Sequence, residues 1–328
     1  MNISKSLFFS LLATILLGFL FFETGNAQSQ LVPEEQVIFY TLEWEGDRDE
    51  YGRPLVSDQV LERMKFVGLE EAWGTIRGDD YHDKFEGNWD VLYPEEVMVG
   101  RALTATYMPK SPGLDQRMHE IGREADLGGG MNQYPIYMLE QGDVYVADGF
   151  GKIVDGTLIG DNLAQGIYSA SGNGPILYGG ARDMGGIKDI EGFNTWVKGW
   201  DPSFIQNMTL MSINAPTRIG RAIVLPGDVV LATETGVLFI PPHLAERVLL
   251  SSEVGRMVDT FRKQRIDEGV YTLNQTYGTD WTDAMNEDFY DWVGSNRTRL
   301  HEELGVGEST LNRVIETRSR NWQKWIED

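Results

Sequence analysis

The chain has 328 residues and is 41% hydrophobic, which is enough for one large domain or two small ones with a packed core. Its formal net charge of -22 disfavours nucleic-acid phosphate and anionic membranes as partners. A divalent cation is a better-suited ligand for a protein of this charge. The sequence contains no cysteine, which excludes a disulfide framework and a lipidated cysteine anchor.

The first residues have the pattern of a secretory signal peptide. Lys5 precedes an apolar run over residues 7–22, and the small residues Gly25 and Ala27 follow it. The run of 16 residues is shorter than the roughly 20 that a membrane-spanning helix needs. We therefore expect residues 1–27 to be removed, leaving a periplasmic or secreted protein with no stable membrane association.

Residues 28–54 are predicted to form an N-terminal extension. Within it, Gln36 to Gly46 is strand-like because β-branched and aromatic residues dominate it. The charged stretch from Glu45 to Arg53 is typical of a loop.

A helix is predicted after this loop. Ser57 is a suitable N-cap and Gly68 a suitable stop, with Val56, Val60, Met64 and Val67 at helical spacing between or beside them. Residues 77–88 are polar, charged and glycine-containing, and we interpret them as an exposed insertion.

Short β-branched runs then alternate with turns and short helices, which predicts an α/β domain over residues 55–255. The runs are VMVGRALTATYMP, DVYVAD, PILYGG and RAIVLPGDVVLATETGVLFIPP.

Residues 256–328 are predicted to be a helical C-terminal extension that packs on the main domain or across a subunit contact. Two apolar stripes at helical spacing carry this prediction. The first contains Trp281, Met285, Phe289, Trp292 and Val293, and the second contains Leu311, Val314, Ile315, Trp322, Trp325 and Ile326. Such stripes are more often core than ligand site.

Several common site motifs are absent from the sequence. The run DVYVADGFGKIVDG lacks the third glycine of G-x-G-x-x-G, because Val154 stands in its place. The histidines His82, His119, His243 and His301 are dispersed and form no zinc motif, and YSASGNG lacks the spacing of a nucleophile elbow.

Arg182 and Asp183 stand side by side between two glycine pairs, directly after a strand-like run. Glycines allow a turn in which both side chains point into one cleft. Asp161 lies in a second glycine-bounded segment, GTLIGDNLAQG. Arginine suits a substrate carboxylate and aspartate suits a hard cation, but an ordinary surface ion pair has the same sequence pattern.

The spacing of these residues resembles a known family. Asp161, twenty residues and then Arg182-Asp183 match the D-x20-R-D motif of the RraA-like family, which includes 4-hydroxy-4-methyl-2-oxoglutarate aldolase and the regulator of ribonuclease E activity A. The segments LVSDQVLERMKFVG, VGRALTATY, QGDVYVADGFG, IGDNLA and PGDVVLATETGVLFIP resemble the family's segments in order. The resemblance implies a layered α/β/β, swivelling-domain-like core.

The resemblance also implies a metal-dependent pyruvate aldolase or 2-oxo acid decarboxylase, assembled as a homo-trimer or hexamer with the site between subunits. By position, Asp183 would bind Mg²⁺ or Mn²⁺, and Arg182 would hold the pyruvyl carboxylate of a 2-oxo acid. Asp161 would orient or deprotonate a water that shuttles the proton. Backbone amides around Gly160, Asn162 and Leu163 would hold the other end of the carboxylate. No organic cofactor is implied.

Two other functions stay open at this point. A non-catalytic exported binding or scaffold protein is consistent with the tryptophan-rich tail and with Thr233 and Glu234, which stand where the family usually has aspartates. A methyltransferase, a label sometimes attached to this family, is disfavoured because no glycine-rich nucleotide loop is present.

Overall fold

The computed structural model describes residues 30–278 and 280–327. The predicted signal peptide, residues 1–27, lies outside the described residues. Among the helices of the described ranges, none combines the length and the apolar character needed to cross a membrane.

The helices fall into three groups along the chain. The N-terminal group is α1 (Glu34–Tyr40), α2 (Asp58–Met64) and α3 (Leu69–Arg77). The central group is α4 (Pro112–Glu124), α5 (Asp161–Ser171) and α6 (Met184–Lys188). The C-terminal group is α7 (Ala245–Asp267), α8 (Leu273–Thr276), α9 (Asp283–Ser295), α10 (Arg297–Glu302), α11 (Glu308–Thr317) and α12 (Lys324–Glu327).

Twelve strands are present in the described residues. They are β1 (Phe85–Glu86), β2 (Asp90–Val91), β3 (Met98–Pro109), β4 (Asp143–Asp148), β5 (Thr157–Ile159), β6 (Ile176–Ala181), β7 (Trp196–Trp200), β8 (Met208–Ile213), β9 (Thr217–Ile219), β10 (Ala222–Val224), β11 (Val229–Thr233) and β12 (Gly236–Ile240).

Ten of these strands form one mixed sheet. Its order is β1-β12-β11-β3-β4-β6-β7-β2, with β5 paired to β6 and β8 paired to β3. The neighbours β3, β4, β6 and β7 run parallel, and β5 runs parallel to β6. Strands β9 and β10 form a separate hairpin. The predicted α/β class is confirmed, and the four β-branched runs of the predicted core contain the strands β3, β4, β6, β10, β11 and β12.

The predicted strand at Gln36 to Gly46 is wrong, because the first part of it belongs to helix α1. Pro33 precedes this helix, and Glu34 and Glu35 occupy its first turn, where acidic side chains interact favourably with the helix dipole. The β-branched and aromatic content of the segment concealed these start signals.

Ser57 caps α2 as predicted, since its side chain accepts a hydrogen bond from the Val60 amide. Gly68 does not end this helix. Helix α2 ends at Met64, and Gly68 is the N-cap of α3, with the Glu71 carboxylate bonded to its amide at 3.2 Å.

Residues 77–88 are less exposed than predicted. Strand β1, within this segment, adds an edge to the main sheet by pairing with β12. Lys84 is buried and its Nζ lies 2.8 Å from Oδ2 of the buried Asp228. The segment is therefore anchored to the sheet, although its charged first half is exposed.

The C-terminal helices share one aromatic core, as the apolar stripes predict. The Phe261 ring on α7 lies 5.4, 5.3 and 5.5 Å from the rings of Trp281, Phe289 and Trp292. Ile326 differs from the prediction because it is exposed. The expected domain boundary at residue 255 lies inside the continuous helix α7.

Candidate functional site

The candidate site lies where the parallel strands β5 and β6 end. Ile159 at the end of β5 is the register partner of Ala181 at the end of β6. The Arg182 amide donates to the Ile159 carbonyl at 3.0 Å, and this hydrogen bond holds the ends of β5 and β6 side by side. Ligands of open α/β sheets commonly bind at the carboxyl ends of strands.

Asp161 lies at the carboxyl end of β5 as the first residue of α5, with Gly160 as the N-cap. The first intrahelical hydrogen bond runs from Ala164 N to the Gly160 carbonyl at 2.9 Å, so the amides before residue 164 lie at the positive end of the helix dipole. The Asn162 amide donates to Asp161 Oδ1 at 2.8 Å. This amide therefore holds the Asp161 carboxylate in place within the chain.

Arg182 and Asp183 form an ion pair at the end of β6. Arg182 Nη1 lies 2.9 Å from Asp183 Oδ2, and the two side chains are 39% and 37% exposed. Asp183 is the N-cap of α6 and has left-handed backbone angles, with φ at 59°. The left-handed Asp183 makes the turn that the glycine pairs were expected to supply, and a non-glycine residue in this conformation is uncommon.

The Asp183 and Asp161 carboxylates each lie close to a glycine of the other segment of the site. A Cβ atom added at Gly160 would lie 2.5 Å from Asp183 Oδ2 and 3.2 Å from Arg182 Cζ. A Cβ atom added at Gly186 would lie 2.8 Å from Asp161 Oδ2. Asp183 thus packs against Gly160, the N-cap of α5, and Asp161 packs against Gly186 of α6, so the residues that the resemblance predicts to act together are neighbours.

A cavity of about 80 Å³ opens beside these residues. Gly160, Asp161, Asn162, Leu163 and Arg182 line it, which brings together all the predicted substrate-binding residues. Asp183 is not a lining residue, but its carboxylate packs against Gly160, which is one.

Six further lining residues were not predicted as site residues: Thr157, Leu158 and Ile159 of β5, and Asn132, Phe204 and Ile205 from distant segments. Asn132 Nδ2 donates to the Leu158 carbonyl at 2.9 Å. Phe204 belongs to a loop tied to the first residue of β5, since the Thr157 hydroxyl donates to the Ser203 carbonyl at 2.5 Å. No local sequence signal marks such contacts, because only the fold brings these distant segments together.

Asp148 is another carboxylate at this edge, as the last residue of β4. Burial raises its pKa, although the hydrogen bond from the Phe150 amide and the charge of Arg218 oppose that effect. Side chains alternate along a strand, so Asp148 faces the side of the sheet that carries Val144 and Val146. The cavity borders the other side, where Leu158 and Ile159 pack.

The acidic residues of the site fit a magnesium-type cation better than a zinc-type one. Within residues 30–278 and 280–327, no group of three or more His, Asp or Glu side chains is placed to hold a metal ion. Mg²⁺ is usually held by one or two carboxylates together with water and substrate oxygens. Asp183 and Asp161 are carboxylates of that kind.

Thr233 and Glu234, which stand where the family usually has aspartates, lie at the opposite end of the parallel strands from the site. Strand β11 runs antiparallel to β3, with Ala232 opposite Met98 at the start of β3. Thr233, which follows, is therefore near the amino ends of the parallel strands, whereas Asp161 and Arg182 are at their carboxyl ends. Within one chain, Thr233 and Glu234 do not complete the site.

The family model for the RraA-like group, described as Aldolase/RraA, matches residues 70–239, just over half of the 328-residue chain. This match includes every residue of the candidate site.

Solved structures share the fold. Streptomyces coelicolor RraAS2, described as an unusual member of the RNase ES inhibitor RraA protein family, is 18% identical with a TM-score of 0.53, covering 65% of this chain and 98% of its own. An uncharacterized protein from Pseudomonas syringae pv. tomato is 19% identical with a TM-score of 0.56, covering 71% of this chain and 98% of its own. At these identities the likeness concerns the fold.

Proposed function

Because this chain belongs to the RraA-like family, we propose that it is a divalent-metal-dependent carbon–carbon lyase that releases pyruvate from a 4-hydroxy-2-oxo acid or from oxaloacetate. The observation that carries this proposal is the convergence of Asp161, Arg182 and Asp183 around one cavity, through the register of Ile159 with Ala181. An ordinary surface ion pair would not require the glycines that these carboxylates pack against.

Arg182 would bind the carboxylate of the substrate. Its guanidinium lines the cavity and its Nη1 is bonded to Asp183, which leaves further N–H groups of the planar fork to face a ligand. The nearby start of α5 adds a favourable field for the same negative charge. Together they would orient the 2-oxo acid with its reacting carbon at the cavity mouth.

Asp183 would hold the divalent cation, and Asp161 would direct the transfer of the proton. Bound Mg²⁺ or Mn²⁺ supplies stabilisation of the negative charge that develops as the carbon–carbon bond breaks. Asp161, fixed by the Asn162 amide, would accept the proton of the 4-hydroxyl group through a water molecule. The 4-oxygen would then form the carbonyl group of the released aldehyde or ketone as the C3–C4 bond breaks, and the C3–C4 electron pair would pass to the pyruvate enolate, which takes a proton from water at C3 to give pyruvate.

A homo-trimer or hexamer with the site at a subunit contact is part of this proposal. Arg182 and Asp183 are more than one-third exposed, so a single chain leaves the ion pair in water, where its electrostatic effect is weak. The apolar ring of Phe204, which lines the cavity beside this ion pair, is 62% exposed. A second copy that covers this ring would exclude water from the cavity.

Export to the periplasm or beyond is also proposed, on the basis of residues 1–27 alone. Expression of the full chain followed by cell fractionation and mass spectrometry tests it. A mature protein beginning at Gln28 outside the cytoplasm supports export, and a full-length cytoplasmic protein contradicts it.

A non-catalytic binding or scaffold protein is the second candidate function. The structure extends well beyond the family match, with helices α7 to α12 after residue 239, and a relative of similar fold is described as a member of an RNase inhibitor family. Partner binding that survives Asp183→Ala, in a wild-type protein that binds no metal, would favour this candidate.

The direct test of the lyase is pyruvate release measured with a lactate dehydrogenase coupled assay. The substrates are oxaloacetate and a panel of 4-hydroxy-2-oxo acids, each with Mg²⁺, with Mn²⁺ and with chelator. We expect turnover that needs the metal. No pyruvate from any substrate with either metal would overturn the proposal.

A further inference from the structure

A second cleft adjoins the candidate site and is not used by the chemistry described above. It has a volume of about 330 Å³, about four times that of the site cavity, and the two share Asn132 and Ile205 as walls. The loop that carries Phe204 ends at this cleft, where Lys110 N donates to the Asn207 carbonyl at 2.9 Å. Because Asn132 and Ile205 border both spaces, the cleft lies next to any substrate that Arg182 holds.

The polar groups of the cleft are organised around Asp115. Lys110 Nζ lies 2.9 Å from Asp115 Oδ2, the Thr209 hydroxyl donates to Asp115 Oδ1 at 2.7 Å, and His119 Nε2 lies 3.9 Å from Oδ2. Burial alone would raise the pKa of Asp115, but the Thr209 hydrogen bond and the Lys110 ammonium hold this pKa below its usual value. The cleft is thus lined by a neutralised ion pair, an imidazole and side-chain amides.

This chemistry suits hydroxyl groups better than a second carboxylate. A hydroxyl both donates and accepts, so it can bond to ammonium, carboxylate, imidazole and amide groups alike. A carboxylate only accepts, and the positive charge of Lys110 is already matched by Asp115. The protein's net charge of -22 further disfavours dianionic substrates over monoanionic ones.

We propose that the cleft of Lys110, Asp115, His119 and Asn132 binds the hydroxylated distal chain of the substrate, which makes the protein selective for polyhydroxylated 4-hydroxy-2-oxo monocarboxylates over dicarboxylic ones. This inference rests on the proposed function, and it names the substrate class of the same site. Lys110 and His119 are then specificity-determining residues, and they touch the part of the substrate that does not react.

The test compares kcat/KM for pyruvate release from 2-oxo-3-deoxygluconate, which carries hydroxyls along its distal chain, and from 4-hydroxy-2-oxoglutarate, which ends in a second carboxylate. We expect the polyhydroxylated acid to be preferred at least tenfold. Lys110→Met removes the hydrogen bond from Lys110 to a distal hydroxyl, which contributes about tenfold to binding. The preference in kcat/KM should therefore fall by about tenfold, through a higher KM for the polyhydroxylated acid. Lys65→Met is the matched control, since Lys65 is as exposed and is also paired to a carboxylate, Glu62, at 2.9 Å.

Equal or greater kcat/KM for the dicarboxylic acid, or a preference unchanged in Lys110→Met, would overturn the inference. Calorimetric titration with gluconate and glutarate keeps it testable if no substrate releases pyruvate, because binding does not require turnover. Gluconate binding that weakens in Lys110→Met but not in Lys65→Met supports the cleft even if the lyase proposal fails. Tighter binding of glutarate than of gluconate contradicts it.

Discussion

Gly160 and Asp183 approach so closely that a methyl group at residue 160 would lie 2.5 Å from Asp183 Oδ2. The contact links the loop after β5 to the loop after β6, and it depends on residue 160 having no side chain. The position of the Asp183 carboxylate is therefore set partly by a residue with no functional group of its own.

Gly160→Ala should abolish most of the activity without unfolding the protein. The added methyl group displaces the exposed Asp183 carboxylate and its Arg182 partner, and a displacement of about 1 Å at a reacting centre can cost about 100-fold in kcat. Stability should change by only about 1 kcal/mol, since the displaced atoms belong to an exposed side chain.

Gly185→Ala is the matched control for this variant. Gly185 lies in the neighbouring helix α6, and no atom lies within 4 Å of an added Cβ. Activity should stay within about twofold of wild type, with a stability gain of about 0.5–1 kcal/mol from the better helix propensity of alanine. Equal activity of the two alanine variants would show that the Gly160 contact does not position the site.

Glu253→Gln should destabilise the protein strongly. Glu253 is fully buried, and it accepts hydrogen bonds from Arg63 Nε, Arg63 Nη2, the Gly307 amide and the Thr310 hydroxyl. Removing its charge leaves the Arg63 guanidinium without a counter-charge, so we expect a loss of about 3–5 kcal/mol in the free energy of unfolding, measured with urea. Asp259→Asn, at an exposed pair with Arg262, should cost less than about 1 kcal/mol.

Acidification should reduce stability through His243. Partial burial lowers the pKa of His243 from 6.5, with the charges of Glu43 and Asp228 opposing the shift. The unfolded chain then binds the proton more readily than the folded chain, so this contribution is complete above about pH 6.5 and declines as the pH falls below it. The unfolding free energy of His243→Phe should fall less between pH 7.5 and 5.5 than that of wild type. An identical fall in both proteins would rule out His243 as the cause.

Phe204→Asp should weaken the assembly of subunits. The exposed Phe204 ring lies beside the site, and a charge there would be costly to bury at an apolar contact. Analytical ultracentrifugation should show smaller species than for wild type, whereas Val270→Asp, at an exposed residue after α7, should assemble normally. A Phe204→Asp protein that forms an assembly of the same mass as wild type would contradict the proposed contact.

The sequence predicts the sheet and the candidate site better than the N-terminal segments. The core strands follow from their β-branched runs, and Asp161 and Arg182 come to the same end of the sheet because they follow the register partners Ile159 and Ala181 of the parallel strands β5 and β6. Helix α1 was missed because apolar residues outweighed the start signals at Pro33 and Glu34. The left-handed turn at Asp183 and the cavity wall at Asn132 depend on long-range packing, which no local pattern records.

The most direct test of the lyase uses pyruvate itself, so it needs no knowledge of the distal part of the substrate. A site that stabilises the pyruvate enolate should exchange the methyl protons of pyruvate for deuterium in D₂O, as followed by proton NMR. We predict exchange that requires Mg²⁺ or Mn²⁺, falls about 100-fold or more in Asp183→Asn, and persists in Asp189→Asn, an exposed carboxylate at the end of α6. Exchange no faster than that of pyruvate with the metal alone would contradict the account.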